Sequence, residues 1–158
     1  MEPELRQLRS ADLPAVIRLH FAALRAIGAD AGPGPWDDDL NDIAGVYLQG
    51  GGEFLVATLG GTLIGMGALR RVDARTADIK RMRVAHDWQG RGVGRRLLVE
   101  LESRAAALGY ARLILDTTER QPAALALYGS AGFQVTGTAV IAGLTSITMQ
   151  KRVHGATA

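Results

Sequence analysis

Residues 89–96, Gln-Gly-Arg-Gly-Val-Gly-Arg-Arg, place glycines at 90, 92 and 94 and close on two arginines. Glycine is about 1 kcal/mol worse than alanine inside a helix, yet an apolar helical stripe begins within this stretch. A glycine loop running into a helix exposes several backbone N–H groups that lack intrahelical partners. With the helix dipole these amides form an anion site, and without Cβ atoms the ligand can come close to the main chain. Arg91, Arg95 and Arg96 can pair with phosphate oxygens or, taken singly, serve as solvated helix-face charges. A nucleoside-triphosphate P-loop needs Gly-Lys-Ser/Thr at its end, which is absent. A dinucleotide fingerprint needs a third glycine where Arg95 or Leu97 stands. A glycine turn without a ligand would leave the arginine cluster unexplained.

The rest of the composition narrows the setting. With 158 residues, 47% of them hydrophobic and 22% charged, the chain suits one domain with one core, over about residues 4–152. It has no cysteine, which excludes disulfides, thiolate chemistry and the usual ligands of structural zinc. His20, His86 and His154 show no metal-ligand spacing, so no metal is expected. The net charge is only +2 and the densest basic cluster is the size of a ligand site, so nucleic acid is not an expected partner. No apolar run approaches the roughly 20 residues of a membrane span, and the first residues lack a signal-peptide pattern. The expectation is a cytoplasmic protein without a membrane partner, with a homodimer as the common oligomer.

The elements that position the loop follow from periodicity. Residues 4–9 read as a first strand. A helix is predicted over 11–27, with Ser10 or Asp12 as cap and Pro14 in its first turn; its apolar stripe takes in His20 as a core residue. A Gly/Pro-rich loop over 28–39 precedes a second helix over about 38–48, whose first turn Asp37, Asp38 and Asp39 complement electrostatically. Residues 52–72 are two strands joined at Gly60-Gly61. In the strand 76–84, Ala77 and Ile79 share one face, whereas Met82 and Val84 fall on the opposite parity. Either a bulge near Lys80–Arg81 shifts the phase, or helices cover both faces and parity carries no meaning. From 92 to 108, Val93, Leu97, Leu98, Leu101, Ala105 and Leu108 form a helical stripe. Residues 111–116 read as a buried parallel strand, completing a right-handed βαβ unit. A helix over about 122–131 and strands over 133–140 and 146–153 follow. The sum is an α/β fold: a mixed, largely antiparallel sheet of six to seven strands flanked by about four helices.

Gln89-x-x-Gly92-x-Gly94 resembles the [RQ]-x-x-G-x-[GA] acyl-CoA pyrophosphate loop of the GNAT superfamily of N-acetyltransferases. "IKRMRV" before it, the leucine-rich helix after it and "LYGSAGF" at 127–133 match the layout of that family. The resemblance implies a GNAT-like acyl-CoA N-acyltransferase with acetyl-CoA as co-substrate and a small-molecule or peptide amine as acceptor. Met82, Arg83 and Val84 would pair with the pantetheine arm as with an added strand. Gln89, Gly90, Arg91, Gly92, Val93, Gly94, Arg95 and Arg96 would hold the pyrophosphate, and Gln121, Ala124 and Tyr128 would line the arm on the next helix. Gln121 stands where the family frequently has Asn, and His86 where a proline often follows the strand.

The chemistry implied is direct attack of the amine on the thioester. Tyr128 is the candidate acid toward the sulfur, since a phenol keeps its proton at neutral pH; a core tyrosine is the other reading of this residue. Asp78 is the candidate base, one methylene shorter than the Glu common in the family and so suited to a water relay. Asp37, Asp38, Asp39, Glu53 and His86 are fallbacks. A backbone N–H near Val84 would polarise the carbonyl. A second function on the same fold is a non-catalytic acyl-CoA-binding sensor or interaction module.

Overall fold

The computed structural model describes residues 2–26 and 35–153. His154, the stretch 27–34 and the Asp37 side chain lie outside the described residues. Seven strands form one sheet in the order β1-β2-β3-β4-β5-β7-β6. They are β1 (Glu4–Gln7), β2 (Glu53–Leu59), β3 (Thr62–Arg71), β4 (Thr76–Val84), β5 (Arg112–Thr118), β6 (Gln134–Ile141) and β7 (Leu144–Arg152). The α-helices are α1 (Leu13–Ala26), α2 (Val93–Ala107) and α3 (Pro122–Ser130). Every strand pairing is antiparallel except that of β4 with β5.

Two apolar layers sandwich the first half of the sheet. Because side chains alternate along a strand, β2 is buried on both sides. Leu55 and Ala57 meet the α2 stripe of Val93, Leu97, Leu98, Leu101 and Ala105. Phe54 and Val56 pack with Val16 of α1 and with Leu40, Ile43 and Tyr47 on the opposite face. Leu108 leaves the stripe expected for it and is exposed, because α2 stops at Ala107. There Gly109 N–H donates to Ala106 O at 3.1 Å and Tyr110 N–H to Ala105 O at 3.0 Å, the paired bonds of a Schellman end. His20 is fully buried and stacks edge-on against Phe21.

The helix expected over 38–48 is not an α-helix. A 3-10 segment spans Pro35–Asn41 and a π-helical segment spans Ala44–Leu48. Asp39 therefore does not complement an α-helix dipole; it accepts hydrogen bonds from Tyr47 and Arg81. The reason is tertiary: the carboxylate finds a guanidinium 42 positions along the chain.

The phase change in β4 is a bulge. Met66 pairs with Arg83 and Ala68 with Lys80, so the single residue Gly67 faces Arg81 and Met82 together. Arg81 takes φ +58°, a left-handed conformation that costs a non-glycine residue about 1 kcal/mol. On the partner strand, a Cβ at Gly67 would stand 2.5 Å from Met82 Sδ and 3.0 Å from Leu101 Cδ1. The bare backbone lets Met82 and α2 close over this point as they stand. On its other side, β4 pairs with β5 only through Thr76, Ala77 and Asp78. Beyond Asp78 the two strands part.

Candidate active site

The parted edge of β4 borders a cleft of about 460 Å³. Met82, Arg83 and Val84 form one wall, Gln121, Ala124 and Tyr128 the facing one, and Gln89, Gly90, Gly92, Gly94 and Arg95 close the end. Residues predicted from three separated stretches are thus brought together. Trp88, Arg120 and Leu127 line the cleft too and were not singled out as site residues. Trp88 adjoins Gln89, and an aromatic beside an anion loop was the available signal.

The loop turns at Gly90 and Gly92, with φ of +74° and +85°, and Gly92 caps α2. Among the described residues, none of the amides from Gly90 to Arg95 donates to a backbone carbonyl. A Cβ at Gly90 or Gly92 would meet nothing within 4 Å, so the space in front of the main chain is open. Gln89 ties the loop to β4, its Nε2 donating to Val84 O at 3.1 Å. The arginines divide. Arg95 donates from Nη2 to Ser130 Oγ at 2.6 Å, spanning the cleft end to α3. Arg91 sits over the Trp88 ring at 5.0 Å. Arg96 turns away to donate to Pro3 O at 2.9 Å. Val93, Arg91 and Arg96 do not line the cleft; Val93 is a buried core residue.

Main-chain donors of β4 face the gap. Ala85 N–H donates to Ile64 O, in the β3 direction, at 2.8 Å. Successive residues of a strand turn their amides to opposite sides, so the Val84 N–H points into the space between β4 and β5. Tyr128 stands across from it. Its ring is 5% exposed and packs edge-on against Phe133, with centroids 5.8 Å apart. Burial pushes the phenol up to about 12, against the opposing charge of Arg83. The hydroxyl is therefore protonated at neutral pH.

A second cavity, of about 270 Å³, shares Met82, Arg83, Gln121 and Tyr128 with the cleft and continues through the gap. Asp78 lines neither cavity. Burial raises its carboxyl above the ordinary range, with Lys80, whose Nζ lies 3.4 Å away, acting in the other direction. Its Oδ1 is buried without a hydrogen bond. The fallback carboxylates are placed for other tasks. Glu53 is held by Arg104 and Gln7, each at 2.9 Å, and Asp39 by Arg81. Asp38 and His86 are exposed and line neither cavity.

With this geometry in place, comparison with known proteins is decisive. The model of the acetyltransferase (GNAT) family matches residues 16–133. The chain belongs to that family. An N-acetyltransferase of Escherichia coli K12, YjgM, itself uncharacterised, is 28% identical over 137 residues, which cover 84% of this chain and 82% of that protein. An IAA acetyltransferase of Azospirillum brasilense is 39% identical over 85 residues, little more than half of either chain (53% and 56%). Among solved structures, a GNAT acetyltransferase from Staphylococcus aureus Mu50 superposes with a TM-score of 0.87 at 16% identity, covering 96% of this chain and 99% of the other. An acetyltransferase from Salmonella typhimurium, solved with acetyl-CoA, gives 0.78 at 22% identity, covering 100% and 98%. These likenesses establish the fold, and family membership makes this GNAT chain an acyltransferase. No helix among the described residues of the GNAT chain is long and apolar enough to cross a membrane.

Proposed function

We propose that the cleft binds acetyl-CoA and that the protein transfers its acetyl group to a primary amine. The observation that carries this reading is the run of unshared amides from Gly90 to Arg95, leading directly to the open edge of β4. The amides and Arg95 hold the pyrophosphate, and the free edge of Met82–Val84 receives the pantetheine amides as an added strand would be received. Gln121 and Ala124 border the arm from α3.

Bound acetyl-CoA supplies an activated acetyl thioester. Val84 N–H donates to the thioester oxygen as negative charge develops there. The amine nitrogen forms a bond to the carbonyl carbon, the carbon–sulfur bond breaks, and Tyr128 gives its proton to the departing sulfur. The proton lost by the amine passes through water toward Asp78. The amine enters through the second cavity. The non-catalytic alternative draws support from one observation, the distance of Asp78 from both cavities. Thiol release with a panel of amines separates the two: turnover lowered about 100-fold by Tyr128→Phe supports the enzyme, while CoA binding without thiol release for any amine overturns it.

A further inference from the structure

The second cavity has two unlike walls. Lys80, Arg81 and Arg83 of β4 bring cationic groups; Asp116 and Thr118 of β5 bring a carboxylate and a hydroxyl. Charges outside the lining bear on the first wall, since Lys80 lies 3.4 Å from Asp78 and Arg81 is paired with Asp39. The second wall is held in place by Thr148, whose Oγ1 donates to Asp116 Oδ1 at 2.8 Å. Thr117 is only 5% exposed, and the Oγ1 atoms of Thr117 and Thr118 are both buried without a hydrogen-bond partner. Buried hydroxyls are nearly always satisfied, and leaving one unmade is unfavourable. Successive strand residues point to opposite faces, so Thr117 shares the face of Leu113 and Leu115 that packs on the α2 core, whereas Thr118 shares the face of Asp116. The Thr118 hydroxyl, on the wall of a polar cavity that reaches Tyr128, calls for a ligand.

Resting on the acetyl-transfer reading above, we infer that this cavity is the acceptor subsite and that it takes a small primary amine bearing a carboxylate, of the amino-acid class. A dipolar cavity matches a dipolar ligand. The carboxylate faces Lys80 and Arg83, and the amine lies on the Asp116 side with Thr118 as a hydrogen-bond partner. The nitrogen then approaches the thioester beside Tyr128. A volume of about 270 Å³ suits a molecule of amino-acid size, and a polyamine would bring only positive charge to the cationic wall.

The test measures kcat/KM for amino acids, for the same compounds lacking the carboxylate, for short peptides and for polyamines. At least a tenfold preference for the carboxylate-bearing amines is expected. Lys80→Gln should shrink that preference several-fold and leave coenzyme A affinity unchanged. Thr118→Val should raise the acceptor KM while the melting temperature holds or rises, because an unsatisfied buried hydroxyl is removed; a purely structural threonine would not show this combination. Turnover of decarboxylated amines, peptides or polyamines at equal or greater kcat/KM would overturn the substrate class and leave the transferase reading standing. Absence of turnover with every amine would overturn both.

Discussion

Arg81 and Asp39 join the β4 bulge to the segment covering the opposite face of the sheet. Arg81 Nε donates to Asp39 Oδ2 at 2.9 Å, Nη2 donates to Oδ1, and Tyr47 adds its hydroxyl. The pair holds a strained residue in the strand that forms the cleft wall, so it couples cleft geometry to residues 35–48. Burial alone would raise the Asp39 carboxyl, but the hydrogen bonds from Arg81 and then Tyr47 outweigh it and hold it below the ordinary range.

Asp39→Asn removes the carboxylate charge from the partly buried Arg81–Asp39 pair and should cost about 3 kcal/mol, read by chemical denaturation. A carboxyl lowered in the native state stabilises above its unfolded value and loses that contribution as pH falls through its native one. The difference between wild type and Asp39→Asn should therefore shrink on acidification.

Tyr128→Phe keeps the ring and its contact with Phe133 and removes the proton donor. A fall in kcat of about 100-fold is expected, with coenzyme A affinity unchanged in a direct titration. With the phenol raised to about 12, no loss of wild-type activity attributable to this acid should appear between pH 7 and 10.

Asp78→Asn tests the base and the burial of that carboxyl together. Burial, the largest influence on it, raises its native value. Its charged form therefore destabilises the fold, and the contribution present at low pH is lost as pH rises through the native value. The asparagine variant should be more stable than wild type at neutral pH and lose that advantage below the carboxylate range, while kcat falls. Thermal melts across pH and thiol-release rates read the two effects separately.

Gly67→Ala should displace Met82, whose Sδ would lie 2.5 Å from the new Cβ. The thioether of Met82 is flexible and can give way, so the stability cost should be small, but because Met82 lines the cleft its displacement should raise the KM for acetyl-CoA several-fold. Steady-state kinetics with a saturating amine checks it.

Much of this arrangement was legible in the residues because it depends on local patterns. The jump in parity between Ile79 and Met82 left a bulge and a strand covered on both faces as alternatives, and the bulge is found; the glycines before Val93 pointed to exposed amides. The α2 stripe was readable up to Ala105 because it follows helical periodicity. Non-local choices were not. Asp37–Asp39 read as helix-dipole complement, since nothing in the neighbouring sequence shows that Asp39 meets Arg81. Arg96 looked equivalent to Arg95, yet α2 turns the two apart, one to Pro3 and the other to Ser130. The helix pattern over 38–48 was apolar enough, but that periodicity does not distinguish an α-helix from the 3-10 and π-helical segments packed there. Thr117 and Thr118 gave no chemical signal, because a hydroxyl on a strand becomes notable only when its partner is missing.

The central claim, that the amides from Gly90 to Arg95 hold the coenzyme A pyrophosphate, is tested most directly by an amide-resolved NMR titration with coenzyme A and, separately, with pantetheine. Large shifts of the Gly90, Gly92 and Gly94 N–H resonances with coenzyme A, and much smaller ones with pantetheine, are predicted. Coenzyme A binding that leaves those three resonances in place would contradict it.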